Sequence, residues 1–271
     1  MLKEATMSRE QNSLDDYLKK AAMTISQSKH VVALVGAGMS VESGIPPFRG
    51  SGGLWTRIGE PPMNGYQRFL ADPEAAWKEI LNPDDSGPRA EFRQAIEKAR
   101  PNPGHYALAK FEELGILKYI ITQNVDGLHW DAGSKNIAEI HGTRHKVRCI
   151  ECNLRWMRAD FQIRDLPPKC PECGGLIKGD TVSFGEPIPQ DVLHTSFRQT
   201  QLSDCMLIIG TSALVYPAAG LPSEAKMHGA SLIEINTDET PLSPICDIIL
   251  AGPSGEILPA ILEEVSKILN R

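Results

Sequence analysis

The sequence predicts an α/β fold built on a doubly wound parallel sheet, with helices on both faces of the strands. Helical patterns separate several short apolar runs, and this alternation is the arrangement that a parallel sheet requires. Consecutive apolar residues without alternation are typical of strands that are buried on both faces. Five such runs are present: Val31–Val35, Tyr119–Thr122, Met206–Ile209, Leu232–Ile235 and Ile248–Leu250.

Three helices can be placed from their boundary signals. The first covers Ser13–Lys29 with Ser13 as its N-cap, because a hydroxyl there can accept from the first turn. The second begins at the N-cap Asn102 and ends before Gly115. The third covers about residues 255–270 and carries one apolar stripe, which predicts a face packed on the sheet.

Breaks in this alternation indicate the domain organisation. A chain of 271 residues is long enough for one large domain with a smaller one inserted. We predict an N-terminal tail and helix (1–30), a Rossmann-like domain in two segments (31–144 and 179–271), a helical or loop insertion (51–100) and a small cysteine-containing module (145–178).

Composition and charge exclude some classes of protein. The net charge of −6 argues against a broad nucleic-acid footprint, which needs clustered Lys and Arg. No run reaches the ~18 apolar residues of a membrane span. The first 29 residues are polar and lack the apolar core of a signal peptide. We therefore expect a cytoplasmic protein without a membrane partner.

Four of the six cysteines form two C-x-x-C pairs, with 17 residues between the pairs. They are Cys149, Cys152, Cys170 and Cys173. Each pair can present two thiolates to one tetrahedral ion, and four ligands leave no open position, so the pattern predicts a structural zinc ribbon. A disulfide is not expected in a chain without a signal peptide, although the spacing does not separate zinc from iron. Cys205 and Cys246 lie in apolar runs and are expected to be buried core thiols.

A glycine-rich segment, Gly36–Gly50, follows the first predicted strand directly. Its Gly-Ala-Gly start would let the backbone approach a pyrophosphate closely, and a following helix would point its amides at that group. The third glycine of the dinucleotide fingerprint is replaced by Val41. Taken alone, the segment is equally compatible with an ordinary glycine turn.

Polar residues follow three other predicted strands. They are Gln123, Asn124 and Asp126; then Gly210, Thr211 and Ser212; and finally Asn236 and Asp238. Open parallel sheets bind ligands at the carboxyl ends of their strands, so these groups predict a ligand site at that edge. His141, beside Gly142, is a candidate general base. A structural histidine is the alternative, and His105, His129 and His194 compete for the role.

Together these motifs resemble the sirtuin family of NAD-dependent protein deacylases, over about residues 31–265. The segments that carry the resemblance are GAGMSVESGIPPFRG, the Gly53-Leu54-Trp55 turn, QNVDGLH, the His141-Gly142 pair, the four cysteines, Val182–Glu186, GTSALVYPA and the EIN strand end.

The resemblance implies that NAD binds as a consumed co-substrate and that the metal is one structural zinc ion. The nicotinamide-ribose side would be lined by Ala37, Glu42, Phe48, Arg49, Gln123, Asn124 and Asp126. The phosphates and adenosine would be held by Gly36, Gly38, Gly210, Thr211, Ser212 and Asn236. Further contacts to NAD would come from Trp55, Thr237 and Asp238.

By the same resemblance, His141 would be the general base, and Asn124 and Asp126 would act with it in catalysis. An acyl-lysine peptide would add as a strand between the two domains, bound mainly through main-chain hydrogen bonds. A strand around Val182–Glu186 would clamp it, together with Leu214, Val215 and Tyr216. The residues of that strand are Val182, Ser183, Phe184, Gly185 and Glu186.

Two departures from the family pattern are expected to matter, the first for NAD affinity and the second for acyl-group specificity. Pro47 replaces the usual threonine before Phe48, and its fixed φ would stiffen the cofactor loop. Ile80 and Pro83 occupy the positions of the Tyr-x-x-Arg pair that binds acidic acyl groups in some sirtuins. Neither residue can bind a carboxylate, so we expect acetyl or longer apolar acyl groups as substrates.

Three other functions compete with deacylation. The same pocket could transfer ADP-ribose to protein or hydrolyse NAD. The chain could instead be a non-catalytic NAD-sensing adaptor that binds partners through the zinc ribbon, although its intact site residues argue against this. A ribbon that binds nucleic acid is suggested by a local basic run, for which a solvated face is the alternative: Arg144, Lys146, Arg148, Arg155, Arg158 and Arg164.

Overall fold

The computed structural model describes residues 2–50 and 52–270, and the strands in this part of the chain form two sheets. In chain order the strands are β1 (Val31–Val35), β2 (Leu117–Thr122), β3 (Ile137–Glu139), β4 (Lys146–Cys149), β5 (Arg155–Met157), β6 (Ile177–Gly179), β7 (Cys205–Ile209), β8 (Ser231–Asn236) and β9 (Ile248–Ala251). The main sheet is parallel with the order β3-β2-β1-β7-β8-β9. The smaller sheet is antiparallel with the order β5-β4-β6.

All five predicted strands are confirmed, as is the doubly wound parallel sheet. The sixth strand, β3, was not predicted, because Ile-Ala-Glu is too short and mixed to be recognised as an apolar run. Strand order places β1 between β2 and β7, so the chain reverses its direction of winding between β1 and β7. The crevice at the carboxyl ends of these two strands is where open α/β sheets bind ligands.

Ten α-helices lie in the described residues, and none of them is both long and apolar enough to cross a bilayer. They are α1 (Leu2–Gln27), α2 (Leu54–Ile58), α3 (Gly65–Ala71), α4 (Pro73–Leu81), α5 (Gly87–Lys98), α6 (Pro103–Glu113), α7 (Leu128–Asp131), α8 (Gln190–Leu202), α9 (Leu221–Met227) and α10 (Ser254–Leu269). Short 3₁₀ helices cover Ala37–Ser43, Ala218–Gly220 and Ser243–Ile245.

Helices cover both faces of the main sheet because side chains alternate along each buried strand. In β1, Val31, Ala33 and Val35 face a core shared with α1, α6 and α10. Val32 and Leu34 face a second core that includes residues of α8 and α9. Each face therefore has its own hydrophobic core, and the sheet is buried on both sides as its sequence predicts.

The predicted start of the first helix is wrong. Helix α1 begins at Leu2, so Ser13 lies inside it rather than at its N-cap, and the expected frayed tail is helical from Leu2 onwards. Residues 2–12 are mostly strong helix formers such as Leu, Lys, Glu, Ala and Met, and these extend the helix past the capping signal. At α6 the predicted cap is confirmed, since the Asn102 side chain accepts from the N–H groups of Gly104 and His105.

Helices α2–α5 lie between the first 3₁₀ helix and α6, and α4 packs on the smaller sheet. Trp77 of α4 is fully buried, and its indole N–H donates to the carbonyl of Ile177 in β6 at 2.7 Å. Ile80 is partly buried and packs against the same cluster, which also includes Val147 of β4. This cluster is separate from the two cores of the main sheet, so the smaller sheet and α4 share a hydrophobic cluster of their own.

Candidate functional site

The glycine-rich segment after β1 packs directly against the end of β7. The Gly38 N–H donates to the Gly210 carbonyl at 2.8 Å, and the Gly36 N–H donates to the Ile209 carbonyl at 2.9 Å. A Cβ added to Gly38 would lie 2.6 Å from the Gly210 Cα, closer than side chains can approach. Gly210 itself has a φ of 55°, and its Cβ would lie 2.5 Å from the Met39 nitrogen. Only glycine fits at both positions, so this close contact explains why residues 38 and 210 are both glycine.

We expect Gly210→Ala to reduce the free energy of unfolding by about 2 kcal/mol or more, because it adds both φ strain and a backbone clash. The variant should also bind NAD more weakly. Gly229→Ala is the matched control, since Gly229 has a φ of 90° but open space around its Cβ position. Denaturant unfolding and NAD titration measure both effects. Equal losses in the two variants would contradict a role for the close approach.

A hydrogen-bond network joins this segment to the loop after β2. The Asn124 side-chain amide donates to the Gly36 carbonyl at 2.9 Å and to the Ser40 hydroxyl at 3.2 Å. The Ser40 hydroxyl donates in turn to the Asp126 carboxylate at 2.8 Å. Burial raises the pKa of Asp126, although the Leu128 N–H and Ser40 oppose this shift. Ser40 therefore holds both Asn124 and Asp126 in place, a role that no sequence motif predicted for it.

A pocket that is open to solvent lies beside this network. It is lined by Ala37, Ser40, Ile45, Pro46, Phe48, Phe92, Ile96, Asn124, Val125 and Asp126. One wall is polar and the other is apolar, and the Phe48 ring lies 5.2 Å from Phe92 and 4.8 Å from Trp55 between ring centroids. The apolar wall was missed from the sequence because Phe92 and Ile96 come from α5, within the helical insertion, where no motif marks them.

His141 lies at the same sheet edge, just after β3. Its Nδ1 is 3.1 Å from the carbonyl oxygen of Gln123. A carbonyl can only accept, so Nδ1 carries the proton and donates it, which leaves Nε2 free to accept. Burial lowers the pKa of His141 from 6.5, an effect that the Gln123 carbonyl partly offsets. The imidazole is therefore neutral at pH 7, as a general base must be.

The other candidate histidines are placed differently. His105 and His129 are both fully buried, with ring centroids 4.9 Å apart. Burial lowers the pKa of His105 to about 4 and lowers that of His129 well below its usual value. His194 is exposed on α8. Among the four histidines considered, His141 combines partial exposure, a defined tautomer and a position beside the Asn124 loop.

The residues predicted for the phosphates and adenosine meet at the ends of β7 and β8. The Gln123 side chain donates to the Thr211 hydroxyl at 2.9 Å, and the Asn236 side chain donates to the Thr211 carbonyl at 3.1 Å. Ser212 is exposed, as are Thr237 and Asp238, which bond to each other at 3.1 Å. These three have side chains open to solvent at this edge, and their contacts with NAD stay a prediction.

Three more predicted cofactor residues hold the loops around the site. The Glu42 carboxylate accepts from the Gly255 N–H at 2.6 Å, so it caps α10. The Arg49 guanidinium lies 4.5 Å from the centre of the Trp55 ring and pairs with Glu60 at 2.8 Å. Such contacts order the backbone around the cavity, and direct contact of these side chains with NAD stays a prediction.

The predicted peptide-binding strand at Val182–Glu186 is wrong as secondary structure. The segment forms a turn in which the Glu186 N–H donates to the Ser183 carbonyl at 3.0 Å, with Gly185 at a φ of 79°. A positive φ at Gly185 closes the turn and prevents continuous extension. The Val182 N–H donates to the His141 carbonyl at 2.8 Å, so the turn starts beside the candidate base.

Across the site, the segment after β7 contributes the other predicted peptide contacts. Leu214 and Tyr216 are 53% and 77% exposed, and Val215 is partly buried. Large apolar side chains that are this exposed are available to a partner. A peptide-binding role for Leu214, Val215 and Tyr216 stays a prediction.

The four paired cysteines meet beside the smaller sheet. Their sulfur atoms all lie within 4.8 Å of one another, with 3.5 Å between Cys149 and Cys173 and 3.7 Å between Cys152 and Cys170. Sulfurs around a tetrahedral zinc ion are separated by about 3.8 Å, whereas a disulfide needs about 2.05 Å. The residues present therefore fit one structural zinc ion. The other two cysteines differ, because burial raises the pKa of both Cys205 and Cys246 to about 12.

Most of the basic run in the ribbon is paired with acids. Arg144 pairs with Glu97 and Lys146 with Glu139, and Arg148 and Arg155 both pair with Asp180. Cations that are already paired, two of them substantially buried, do not form the open basic surface that a phosphate backbone requires. This arrangement argues against the nucleic-acid-binding alternative.

Comparison with known proteins agrees with this geometry. The model of the Sir2 family matches residues 36–217. The chain belongs to the Sir2 family. It is 42% identical over 247 residues to NAD-dependent protein deacylase 2 of Pyrobaculum aerophilum, covering 91% of this chain and 95% of that relative.

Solved Sir2 structures share the fold over nearly the whole chain. A mutant Sir2 homologue in complex with ADP-ribose is 43% identical, with a TM-score of 0.77 that covers 93% of this chain and 97% of the other. Sir2Af2 bound to a myristoylated histone peptide is 34% identical, with a TM-score of 0.67 over 94% of this chain and 98% of the other. The predicted resemblance to sirtuins is therefore confirmed.

Proposed function

We propose that this Sir2 protein is an NAD-dependent protein-lysine deacylase that transfers the acyl group to ADP-ribose and releases nicotinamide. The observation that carries the proposal is a neutral His141 with a free Nε2, held beside the loop of Asn124 and Asp126. The name of the Pyrobaculum relative and the peptide in the Sir2Af2 complex support the same reaction and an acyl-lysine peptide as the partner.

NAD, when bound, supplies a ribose carbon that accepts the weakly nucleophilic acyl oxygen as nicotinamide leaves. Gly38 and Gly210 have no side chains, and their backbones are in close contact. The phosphates of NAD could therefore approach the backbone closely at this place. Asn124 and Asp126 line the polar wall of the cavity and would orient the nicotinamide end. Phe48, on the apolar wall, would keep water away from the reacting centre.

His141 would then act through Nε2, because its Nδ1 proton is committed to the Gln123 carbonyl. We propose that Nε2 takes a proton from a ribose hydroxyl, whose oxygen then attacks the acyl carbon. The bond from that carbon to the lysine nitrogen would break, and the imidazolium would return its proton to the leaving amine. The Gln123 carbonyl would stabilise the imidazolium formed in this step, since it accepts a hydrogen bond from the Nδ1–H group throughout. The same contact fixes the orientation of the ring towards the ligand edge.

Zinc, held by the four cysteines, would stabilise the smaller sheet and take no part in the reaction. Four thiolates complete the coordination and leave no position for water or substrate. The cytoplasmic location and the absence of a nucleic-acid partner stay predictions.

We expect turnover of an acetyl-lysine peptide to exceed that of the matched succinyl peptide by about tenfold or more, because the described residues that line the pocket include no Lys or Arg to pair with the added carboxylate. Ile80, which the resemblance places at one position of the acid-binding pair, packs against the hydrophobic cluster of the smaller sheet. Mass spectrometry of the deacylated peptide measures both rates. A clear succinyl preference would contradict this specificity.

The same assay separates deacylation from its alternatives. Nicotinamide release that requires an acyl-lysine peptide, with acyl-ADP-ribose as a product, supports the proposed reaction. Release at the same rate without peptide would indicate NAD hydrolysis, and ADP-ribose attached to protein would indicate a transferase. Binding of NAD without any release would favour the non-catalytic adaptor.

A further inference from the structure

Two buried cations face each other across the smaller sheet. Arg148 of β4 and Lys178 of β6 are directly opposite in the antiparallel register, and they are 5% and 4% exposed. Like charges in directly opposed positions destabilise a pair of strands, and burial removes the water that would screen them. These strands therefore require an anion between the two side chains.

Glu186 provides that anion from outside the sheet. Its carboxylate pairs with the Arg148 guanidinium and lies 3.0 Å from the Lys178 ammonium, and its side chain is only 2% exposed. Asp180 lies 3.0 Å from Arg148 and is shared with Arg155. Within the described residues, Glu186 is the one carboxylate that pairs with both buried cations. The negative charge of Glu186, on the turn, thus offsets positive charge of Arg148 and Lys178 on the smaller sheet.

The same carboxylate fixes the turn at Ser183–Glu186. It accepts a hydrogen bond from the Ser183 N–H at 2.8 Å, which adds to the backbone bond that closes the turn. At its tip, the Phe184 carbonyl accepts from the Tyr66 N–H at 3.0 Å, and the Phe184 ring lies 5.7 Å from Trp55. The turn is consequently held from one side by the ribbon strands and from the other by α2 and α3.

We propose that Arg148 and Lys178 are positioning residues for the peptide substrate. Acting through Glu186, they hold the turn next to His141 in the position that an acyl-lysine peptide needs. Glu186 therefore anchors the turn with its side chain and does not read the peptide with it. The proposal rests on the proposed deacylase function, and it makes the zinc ribbon a determinant of peptide affinity rather than of NAD affinity.

Glu186→Gln tests this directly, because it keeps the shape of the side chain, removes the carboxylate that pairs with Lys178 and leaves Arg148 with Asp180 alone. We expect its KM for an acetyl-lysine peptide to rise by about tenfold or more, as for loss of one partner of a buried charge pair. The dissociation constant for NAD should stay within about twofold, and the zinc content should be unchanged. Asp191→Asn is the matched control, since Asp191 pairs with Arg155 at the half-exposed outer end of the same network.

Two further variants keep the test decisive if Glu186→Gln is poorly folded. Lys178→Met leaves Arg148 to hold Glu186 and should raise the peptide KM by about threefold, less than Glu186→Gln, because one cation of the buried group remains. Lys178→Arg retains the charge and should restore the parental value. Hydrogen exchange should increase at Ser183–Gly185 in Lys178→Met but not in Asp191→Asn.

Parental peptide KM values in both Glu186→Gln and Lys178→Met would overturn the inference while leaving deacylation intact. An equal rise in the NAD dissociation constant would also overturn it, since the effect would not be specific to the peptide. A parent enzyme that releases no nicotinamide with any acyl-lysine peptide would instead refute the proposed function, and this inference with it.

Discussion

His141→Ala should lower the turnover number for an acetyl-lysine peptide by ~100- to 10,000-fold, the usual contribution of a general base. The affinity for NAD should stay nearly unchanged. The imidazole lies after β3 at the margin of the site, whereas the glycines and Asn124 that form the proposed cofactor surface make their contacts without it. Steady-state deacylation and direct NAD titration separate these two effects.

The pH profile provides an independent check of the same residue. Because burial lowers the pKa of His141 below 6.5, the base stays unprotonated at neutral pH, and the rate should decline only as the pH falls below that value. His194→Ala is the control, since His194 is exposed on α8 and should leave both the rate and its acidic limb unchanged. Parental turnover in His141→Ala would refute the assignment of the base.

The main sheet could be predicted because its strands are buried on both faces. A strand such as β7, with five consecutive buried residues, carries its signal in local sequence alone. Strand β3 carries no such signal, because three residues gain their structure by pairing with the end of β2. The start of α1 was misplaced for a related reason, since helix propensity over residues 2–12 outweighs one capping residue.

Site residues could be predicted from the sequence where the backbone geometry admits only one residue type. The approach of Gly38 to Gly210 admits only glycine, so the requirement is visible in the sequence. Ser40 and Phe92 are ordinary residue types that become important through partners distant in sequence, Asp126 and Phe48. No local pattern reports such pairings.

The run of basic residues was the local pattern whose interpretation differed most from the structure. Arg148 belongs to a run that resembles a basic surface, yet it is 5% exposed and its partners lie 32 and 38 residues further along the chain. The prediction of an extended strand at Val182–Glu186 was wrong for the same reason. Its conformation is set by Gly185 and by the pairing of Glu186 with the ribbon, which appear only in the folded molecule.

Cys170→Ser should abolish metal binding and reduce deacylation by about a hundredfold or more, because structural zinc contributes on the order of 10 kcal/mol to folding of small zinc domains. Cys170 is 3% exposed and belongs to the cluster that packs β4 and β6 against Trp77. Loss of that packing removes the strands that carry Arg148 and Lys178, and with them the anchor of the peptide-binding turn.

The main sheet should stay folded in this variant, because its two cores share no residue with the hydrophobic cluster of the smaller sheet and α4. The variant should therefore keep the helical circular dichroism signal and bind NAD while losing peptide affinity. Atomic absorption, circular dichroism and separate titrations with NAD and peptide measure each part. Cys246→Ser is the control, since the Cys246 thiol donates to the Leu242 carbonyl and a hydroxyl can do the same. A metal-free Cys170→Ser protein with parental peptide turnover would show that the ribbon does not hold the site, because the coupling through Glu186 requires the two strands to be folded.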